Sequence, residues 1–303
     1  MDKIYDCIVI GSGPAGMTAA LYLKRSNKDV LIIEKETIGG QISMAPCVEN
    51  FPTIEKISGS DLADRLFTQI TDLGVEFELD NVLIVNKIEG IFHVKCEYND
   101  FKSRTVIVAT GAKHRMIGIP NEEDWIGNGF SYCVSCDGAF FKGEEVAVIG
   151  DANSALQYAI ELSNYCPTVH VCTLFDKFFG DKILIDRLLS KPNVKVYHNI
   201  MLKAAHGNEK LERLEFVNTK TNEEFDLAVK GAFIAIGQVP NNDIIKNLVD
   251  IDKAGYVIAD ESLTTKTTGL FVAGDCRTKA VRQATTAVGD GAVAATACIK
   301  YLD

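Results

Sequence analysis

Two thiols three positions apart stand at Cys133-Val134-Ser135-Cys136, followed by Asp137-Gly138. Such a pair can close a small, reducible disulfide, and the same spacing lowers the pKa of the attacking thiol, whose thiolate is the nucleophile. Half of a zinc site is the competing chemistry, and an inert pair is the third reading. Zinc needs four ligands, usually from a second paired motif. The chain has no other Cys-x-x-Cys, and its 5 His are dispersed. The spacing therefore favours a redox dithiol. Asp137 adjoins the second thiol, where a carboxyl raised in pKa by burial can carry the proton that thiol–disulfide exchange needs. Its plainer reading is a turn residue, since Asp-Gly is a common turn pair. Of the 9 cysteines, the other seven (Cys7, Cys47, Cys96, Cys166, Cys172, Cys276 and Cys298) are read as structural or incidental thiols.

A second chemistry lies in the glycines. Gly11, Gly13 and Gly16, with Ser12, Pro14 and Ala15 between them, follow the apolar run Cys7–Ile10. The first glycine allows a tight turn, the second lets backbone approach a pyrophosphate, and the third lets helix and strand pack closely. Met17 to Arg25 reads as the following helix and Asp29 to Ile33 as the next strand, ending at Glu34. A carboxylate there is placed to accept hydrogen bonds from ribose hydroxyls. A bare glycine turn is the bland alternative. A unit of the same shape recurs about 139 residues later: strand Val146 to Gly150, helix Ser154 to Asn164, strand Val169 to Thr173. Short apolar strands ending in glycine recur at Val106 to Gly111, Ala232 to Gly237 and Leu270 to Asp275, and ligands gather at such ends. Ala284 to Leu302 is Ala-rich and reads as a C-terminal helix.

The fold class expected is α/β, with two Rossmann-like nucleotide-binding domains, the first discontinuous. Boundaries are placed at 1–115 with 242–303, and 116–241, the turns Thr110–Gly118 and Gly237–Asn242 serving as hinges. The chain of 303 residues is long enough for two cores. A hydrophobic content of 47%, with 24% charged, argues against disorder. The net charge of −10 argues against nucleic acid as a partner. The start lacks the pattern of a secretory signal, and no run of 18 apolar residues suggests a membrane span. Scattered cysteines suit a reducing cytoplasm better than a disulfide-stapled secreted fold.

Five separated motifs carry a resemblance over essentially the whole chain. They are Gly39-Gly40-Gln41-Ile42, Glu49-Asn50-Phe51-Pro52, Ala109-Thr110-Gly111, Phe271 to Asp275, and Arg282-Gln283-Ala284 running on to Gly291. In this order they resemble the low-molecular-weight thioredoxin reductases. The resemblance implies FAD, bound by the first fingerprint (Gly11 to Gly16), by Glu34 and Lys35, and by Gly40, Gln41, Asn50, Thr110 and Gly111. Gly274, Asp275, Arg282, Gln283 and Ala284 complete the implied set. Asp275 would hold ribityl or phosphate-linked groups, and the helix opening near Gln283 would face the flavin ring. The resemblance also assigns Cys136 to the flavin side, Cys133 to attack on the protein substrate and Asp137 to acid–base work. It further implies a homodimer, thioredoxin as substrate, and rotation of two domains during turnover.

The chain departs from that family at its second fingerprint. NADPH-using members read Gly-Gly-Gly-Asp/Asn-Ser/Thr-Ala; here the residues are Gly150-Asp151-Ala152-Asn153-Ser154-Ala155. The methyl of Ala152 stands where backbone should meet the pyrophosphate. Asp151 sets a charge beside it, a repulsion of about 3 kcal/mol at about 5 Å in an effective dielectric near 20. The next strand should end in His-Arg-Arg-x-x-x-Arg to grip a 2′-phosphate. The arginine positions are Leu174, Phe175 and Phe179, with Lys177 the one nearby cation and Asp176 offsetting it. No carboxylate stands at the strand end to take NADH instead. These departures look like the subgroup that lacks nucleotide motifs and takes electrons from ferredoxin. An NADPH-dependent thioredoxin reductase, or a flavin enzyme serving another dithiol protein, are the alternatives. Ferredoxin docking calls for a basic patch, yet residues 116–241 carry 11 Lys and Arg against 17 Asp and Glu, a net of −6. Phe175, Phe178 and Phe179 are expected in a core rather than on a docking face.

Overall fold

The computed structural model describes residues 3–45 and 48–303; the Cys47 thiol lies outside the described residues. In chain order the first leg runs through β1 (Ile4–Ile10), α1 (Pro14–Arg25), β2 (Val30–Glu34), α2 (Gly59–Thr71), β3 (Glu76–Leu79), β4 (Val82–Ile88), β5 (Ile91–Cys96) and β6 (Asp100–Val108). Strand β7 (Ala112–His114) carries the chain into a middle segment. That segment holds β8 (Phe130–Ser131), α3 (Val134–Asp137), β9 (Val146–Ile149), α4 (Asn153–Leu162), β10 (Val169–Cys172), α5 (Lys182–Leu189) and β11 (Val194–Tyr197). It continues through β12 (Ile200–Gly207), β13 (Leu211–Asn218), β14 (Glu224–Ala228) and β15 (Gly231–Ile234). The chain returns through β16 (Gln238–Pro240) and ends with β17 (Leu270–Val272) and α6 (Ala284–Leu302).

Two compact units result, Met1–Lys113 with Val239–Asp303, and His114–Gln238. The first holds a seven-stranded sheet in the order β3-β2-β1-β6-β5-β4, with β17 also on β6. One edge of β6 is shared: residues 100–103 pair antiparallel with β5, and Val106–Val108 pair parallel with β17. Strands β1 and β2 lie between parallel neighbours, which explains why Ile8–Ile10 and Val30–Ile33 are continuous apolar runs rather than alternating ones. Helix α6 lies close against α1. A methyl at Gly291 would stand 2.2 Å from the Ala15 carbonyl oxygen, so only glycine permits this approach.

The second unit repeats the plan with a parallel sheet β11-β10-β9-β15-β8 and an antiparallel ribbon β12-β13-β14. Strand β9 is buried along its whole length. Both copies use their first glycine alike. A Cβ on Gly11 would meet the Ala109 oxygen at 2.4 Å, and one on Gly150 would meet the Ala235 oxygen at 2.4 Å. Helix α1 starts at Pro14, earlier than the apolar periodicity indicates, because proline already has helical φ and needs no N–H partner at the first position.

Of the three phenylalanines only Phe178 packs against the core of the second unit, as expected; Phe175 and Phe179 do not. Phe175 and Phe179 are 48% and 56% exposed, and Phe178 is half-buried against His198. The segment is held by its main chain rather than by its rings: the Phe179 N–H donates to the Asp151 oxygen at 2.7 Å. Asp176 does not neutralise Lys177 either; it pairs with Lys220 at 3.7 Å, while the Lys177 ammonium lies over the Phe179 ring.

Candidate functional site

The first cradle forms where β1 ends and α1 begins. Gly11 and Gly16 are packing glycines: added methyls would collide with the Ala109 and Gly11 oxygens at 2.4 and 1.9 Å. Gly13 differs. It caps α1 in an extended conformation open to any residue, and a Cβ there would find only the Gly39 oxygen, at 3.8 Å. The space a side chain would fill is kept free in front of the helix N-terminus, where N–H groups and the dipole favour an anion. Glu34 is buried and staples the loop. One carboxylate oxygen accepts from the Ser12 N–H and hydroxyl at 2.8 and 2.9 Å, the other from the N–H groups of Lys35 and Glu36. The side chain of Lys35 meets Glu36 at 3.2 Å.

Other segments join this cradle. Gly40 lies beside Gly13, a Cβ on it reaching the Gly13 Cα at 3.6 Å. Gln41 donates its amide to the Ala112 oxygen at 2.6 Å, and Asn50 donates to Gln283 at 3.3 Å. Gln283 in turn caps α6, whose first residue is Ala284. Gly274 approaches Ala15, and the Arg282 guanidinium stacks on Tyr256 at 4.1 Å. Gly111 has positive φ and open space where a side chain would stand. Three polar atoms of this region, Thr110 Oγ1, Asp275 Oδ1 and Arg282 Nε, are buried without a hydrogen-bond partner, Asp275 Oδ1 having only a long ion-pair contact with Lys279 at 3.9 Å. Burial raises the Asp275 carboxyl pKa. Buried polar atoms are normally satisfied, so this set fits a polar ligand with hydroxyl and phosphate groups. The sequence motifs missed Asp290 on α6, which braces the region. It accepts from the Gly274 N–H at 3.0 Å and bonds Arg277 and Lys279 at 2.8 and 2.9 Å. Its signal was faint, an acidic residue between Gly289 and Gly291.

The dithiol lies in the second unit. Cys133 and Cys136 are joined in a disulfide across the single turn of α3, with Cα atoms 5.3 Å apart. The sulfurs are therefore bonded to each other rather than set out as half of a metal site. Among the described residues no group of three or more His, Cys, Asp or Glu is placed to hold a metal ion. Buried Val134 anchors the turn. Burial raises the Asp137 carboxyl pKa, partly offset by a 2.7 Å hydrogen bond from Ser131, and its Oδ1 is buried without a partner. Six further cysteines (7, 96, 166, 172, 276 and 298) are free thiols, all buried.

The second cradle is shaped differently from the first. Ala152 occupies the helix-cap position that Gly13 holds in the first copy, with similar extended backbone. The segment after β10 is hydrogen-bonded to this helix start. Besides the Phe179–Asp151 bond, the Asp181 N–H donates to Asn153 Oδ1 at 2.7 Å, and Asn153 Nδ2 donates back to the Asp181 carboxylate at 3.1 Å. Gly180 is pressed so close that a methyl would stand 2.3 Å from Leu156 Cδ1. Burial also raises the Asp151 carboxyl pKa.

Residues 5–291 match the pyridine nucleotide-disulphide oxidoreductase family. The chain is 38% identical over 303 residues to a thioredoxin reductase of Bacillus subtilis, covering 100% of this chain and 96% of that one. It is 37% identical over 302 residues to a Clostridium pasteurianum protein described as a 34.2 kDa protein in a rubredoxin operon, covering 99% and 98% of the two chains. The crystal structure of a Streptococcus pyogenes thioredoxin reductase superposes with a TM-score of 0.95 at 39% identity, covering 100% and 99%. Proteins of this kind are FAD flavoproteins, and the open space at Gly13 together with the orphaned Thr110, Asp275 and Arg282 atoms fits that cofactor. The sequence, the repeated nucleotide-binding plan and the disulfide turn agree on one conclusion: the chain belongs to the low-molecular-weight thioredoxin reductase family.

Proposed function

We propose that this protein reduces the thioredoxin disulfide with electrons from reduced ferredoxin and does not use NADPH. The balance is two reduced ferredoxins, one disulfide and two protons giving two oxidised ferredoxins and one dithiol. The observation that carries the reading is the second cradle, whose helix start carries a methyl and is tied to the segment after β10. The Ala152 methyl takes the place that Gly13 leaves open in the first copy, and the segment bearing Phe175 and Phe179 is hydrogen-bonded to the helix start. Hydrophobic groups at the three arginine positions remove the grip on a 2′-phosphate. When bound, FAD supplies chemistry that accepts electrons singly or in pairs, so a one-electron donor is compatible.

The chain's own residues then divide the work. Gly11 to Gly16, Glu34, Lys35, Gly40, Gln41, Asn50, Thr110, Gly111, Gly274, Asp275, Arg282, Gln283 and Ala284 bind and orient the cofactor. Cys133 in its thiolate form attacks one sulfur of the thioredoxin disulfide, breaking that bond and forming a mixed disulfide. Cys136 attacks the Cys133 sulfur, re-forms the internal disulfide and frees the second thioredoxin thiolate. Asp137 gives a proton to a leaving thiolate. Burial raises its pKa, which favours the protonated form an acid needs. The resemblance extends the proposal to a homodimer, and the six free thiols suit a reducing cytoplasm. The test is steady-state thioredoxin reduction by the holoenzyme with ferredoxin, NADPH or NADH as the donor. Turnover with ferredoxin and at least about a hundredfold lower kcat/KM with NADPH is expected, about the penalty of one charge repulsion. Equal turnover with NADPH contradicts the reading.

A further inference from the structure

We propose that Ser131 is a positioning residue for the dithiol chemistry. Its hydroxyl ties the Asp137 carboxyl to the first cysteine and decides which carboxyl oxygen carries the proton. Ser131 ends the short strand β8, two residues before Cys133, and is 4% exposed. Its hydroxyl lies 2.7 Å from Asp137 Oδ2 and 3.3 Å from the Cys133 oxygen, so the carboxylate is the nearer acceptor for its proton, and it accepts from the Cys133 N–H at 3.1 Å. A serine hydroxyl has one proton to give. With that proton on Oδ2, the acid proton of Asp137 belongs on Oδ1, the buried oxygen with no partner inside the structure. The hydroxyl thus fixes the acid relative to the sulfur turn and leaves Oδ1 as its proton-bearing oxygen.

The neighbours leave this bond as the specific polar influence on Asp137. The Asp137 N–H donates to the Cys133 oxygen at 3.0 Å and closes the turn. Tyr165 touches Gly138, and burial pushes its hydroxyl up to about 12. The Tyr158 hydroxyl donates to the Tyr132 oxygen and is likewise raised by burial. The Tyr132 hydroxyl donates to Glu122 at 3.0 Å, the carboxylate that also accepts from Ile117 and Gly118. Within the turn itself the titratable groups besides Asp137 are Cys133 and Cys136 once reduced.

The proposal rests on the acid role given to Asp137 above, and the step is the one already balanced: a thiolate leaves the thioredoxin disulfide and takes the Asp137 proton. Holoenzyme reduced with dithionite is mixed with oxidised thioredoxin, and the rate of dithiol oxidation is followed from pH 5 to 9. Ser131→Ala is expected to slow it about tenfold, a part of what general acid catalysis contributes. An acid works while protonated, so the rate falls as pH rises through the Asp137 pKa. Losing a hydrogen bond to the carboxylate raises that pKa, so the falling limb moves up by about half a unit or more. Ser131→Thr keeps the hydroxyl and restores both. In an Asp137→Asn background, Ser131→Ala adds no further loss. An undiminished loss in that background overturns the Ser131 proposal while leaving the Asp137 role intact. A normal rate and pH profile in Asp137→Asn alone overturns both.

Discussion

Cys136→Ser protein is expected to lose disulfide-reductase turnover by at least about a thousandfold while retaining its FAD and its fold. A serine cannot form or break a sulfur–sulfur bond, and an alcohol is a poor nucleophile at neutral pH. The site tolerates the swap, because Cys136 is half-buried in a one-turn helix whose anchor is Val134. The residual chemistry is diagnostic. Cys133 still attacks the thioredoxin disulfide, but nothing resolves the product. A mixed disulfide should therefore accumulate with Cys136→Ser and be seen on a non-reducing gel. Accumulation with Cys133→Ser instead would reverse the two assigned roles, and full turnover in either variant would remove the dithiol from the reaction.

The second large effect concerns the first cradle. Gly13→Val is expected to fold but to hold FAD at least about a hundredfold more weakly, equivalent to about 3 kcal/mol. Gly13 has φ −69° and ψ 178°, which valine adopts without strain, and the nearest atom to its Cβ is 3.8 Å away. The Cβ enters the space before the helix N-terminus. Gly16→Val is the contrast, since its Cβ would lie 1.9 Å from the Gly11 oxygen and backbone would have to move. Circular dichroism and FAD content separate the cases. Gly13→Val keeps its spectrum and loses flavin, whereas Gly16→Val loses both. Normal FAD retention by Gly13→Val would place the pyrophosphate elsewhere.

The features legible in the sequence are those set by short-range rules. A parallel strand buried on both faces reads as an apolar run, and the glycines after it have steric reasons, so both fingerprints stand out without tertiary information. The helix Ala284–Leu302 follows from composition. Cys133 and Cys136 need no distant partner to make a disulfide. What escaped the sequence depends on contacts between remote residues. Asp290 reaches back 16 residues to hold Gly274, and Asp176 finds Lys220 rather than its neighbour Lys177. Phe175 and Phe179 read as core because large aromatics usually are. They are exposed instead, while their segment is hydrogen-bonded to the start of α4. Ser131 carries no motif, and only its hydrogen bonds to Asp137 and Cys133 single it out.

In the proposed route the second unit accepts no pyridine nucleotide and electrons arrive from a one-electron carrier. Anaerobic stopped-flow absorbance of the flavin, with reduced ferredoxin, NADPH and NADH mixed separately, tests it most directly. Rapid bleaching by ferredoxin and none by either nucleotide at micromolar concentration is the predicted result; rapid bleaching by micromolar NADPH would contradict it.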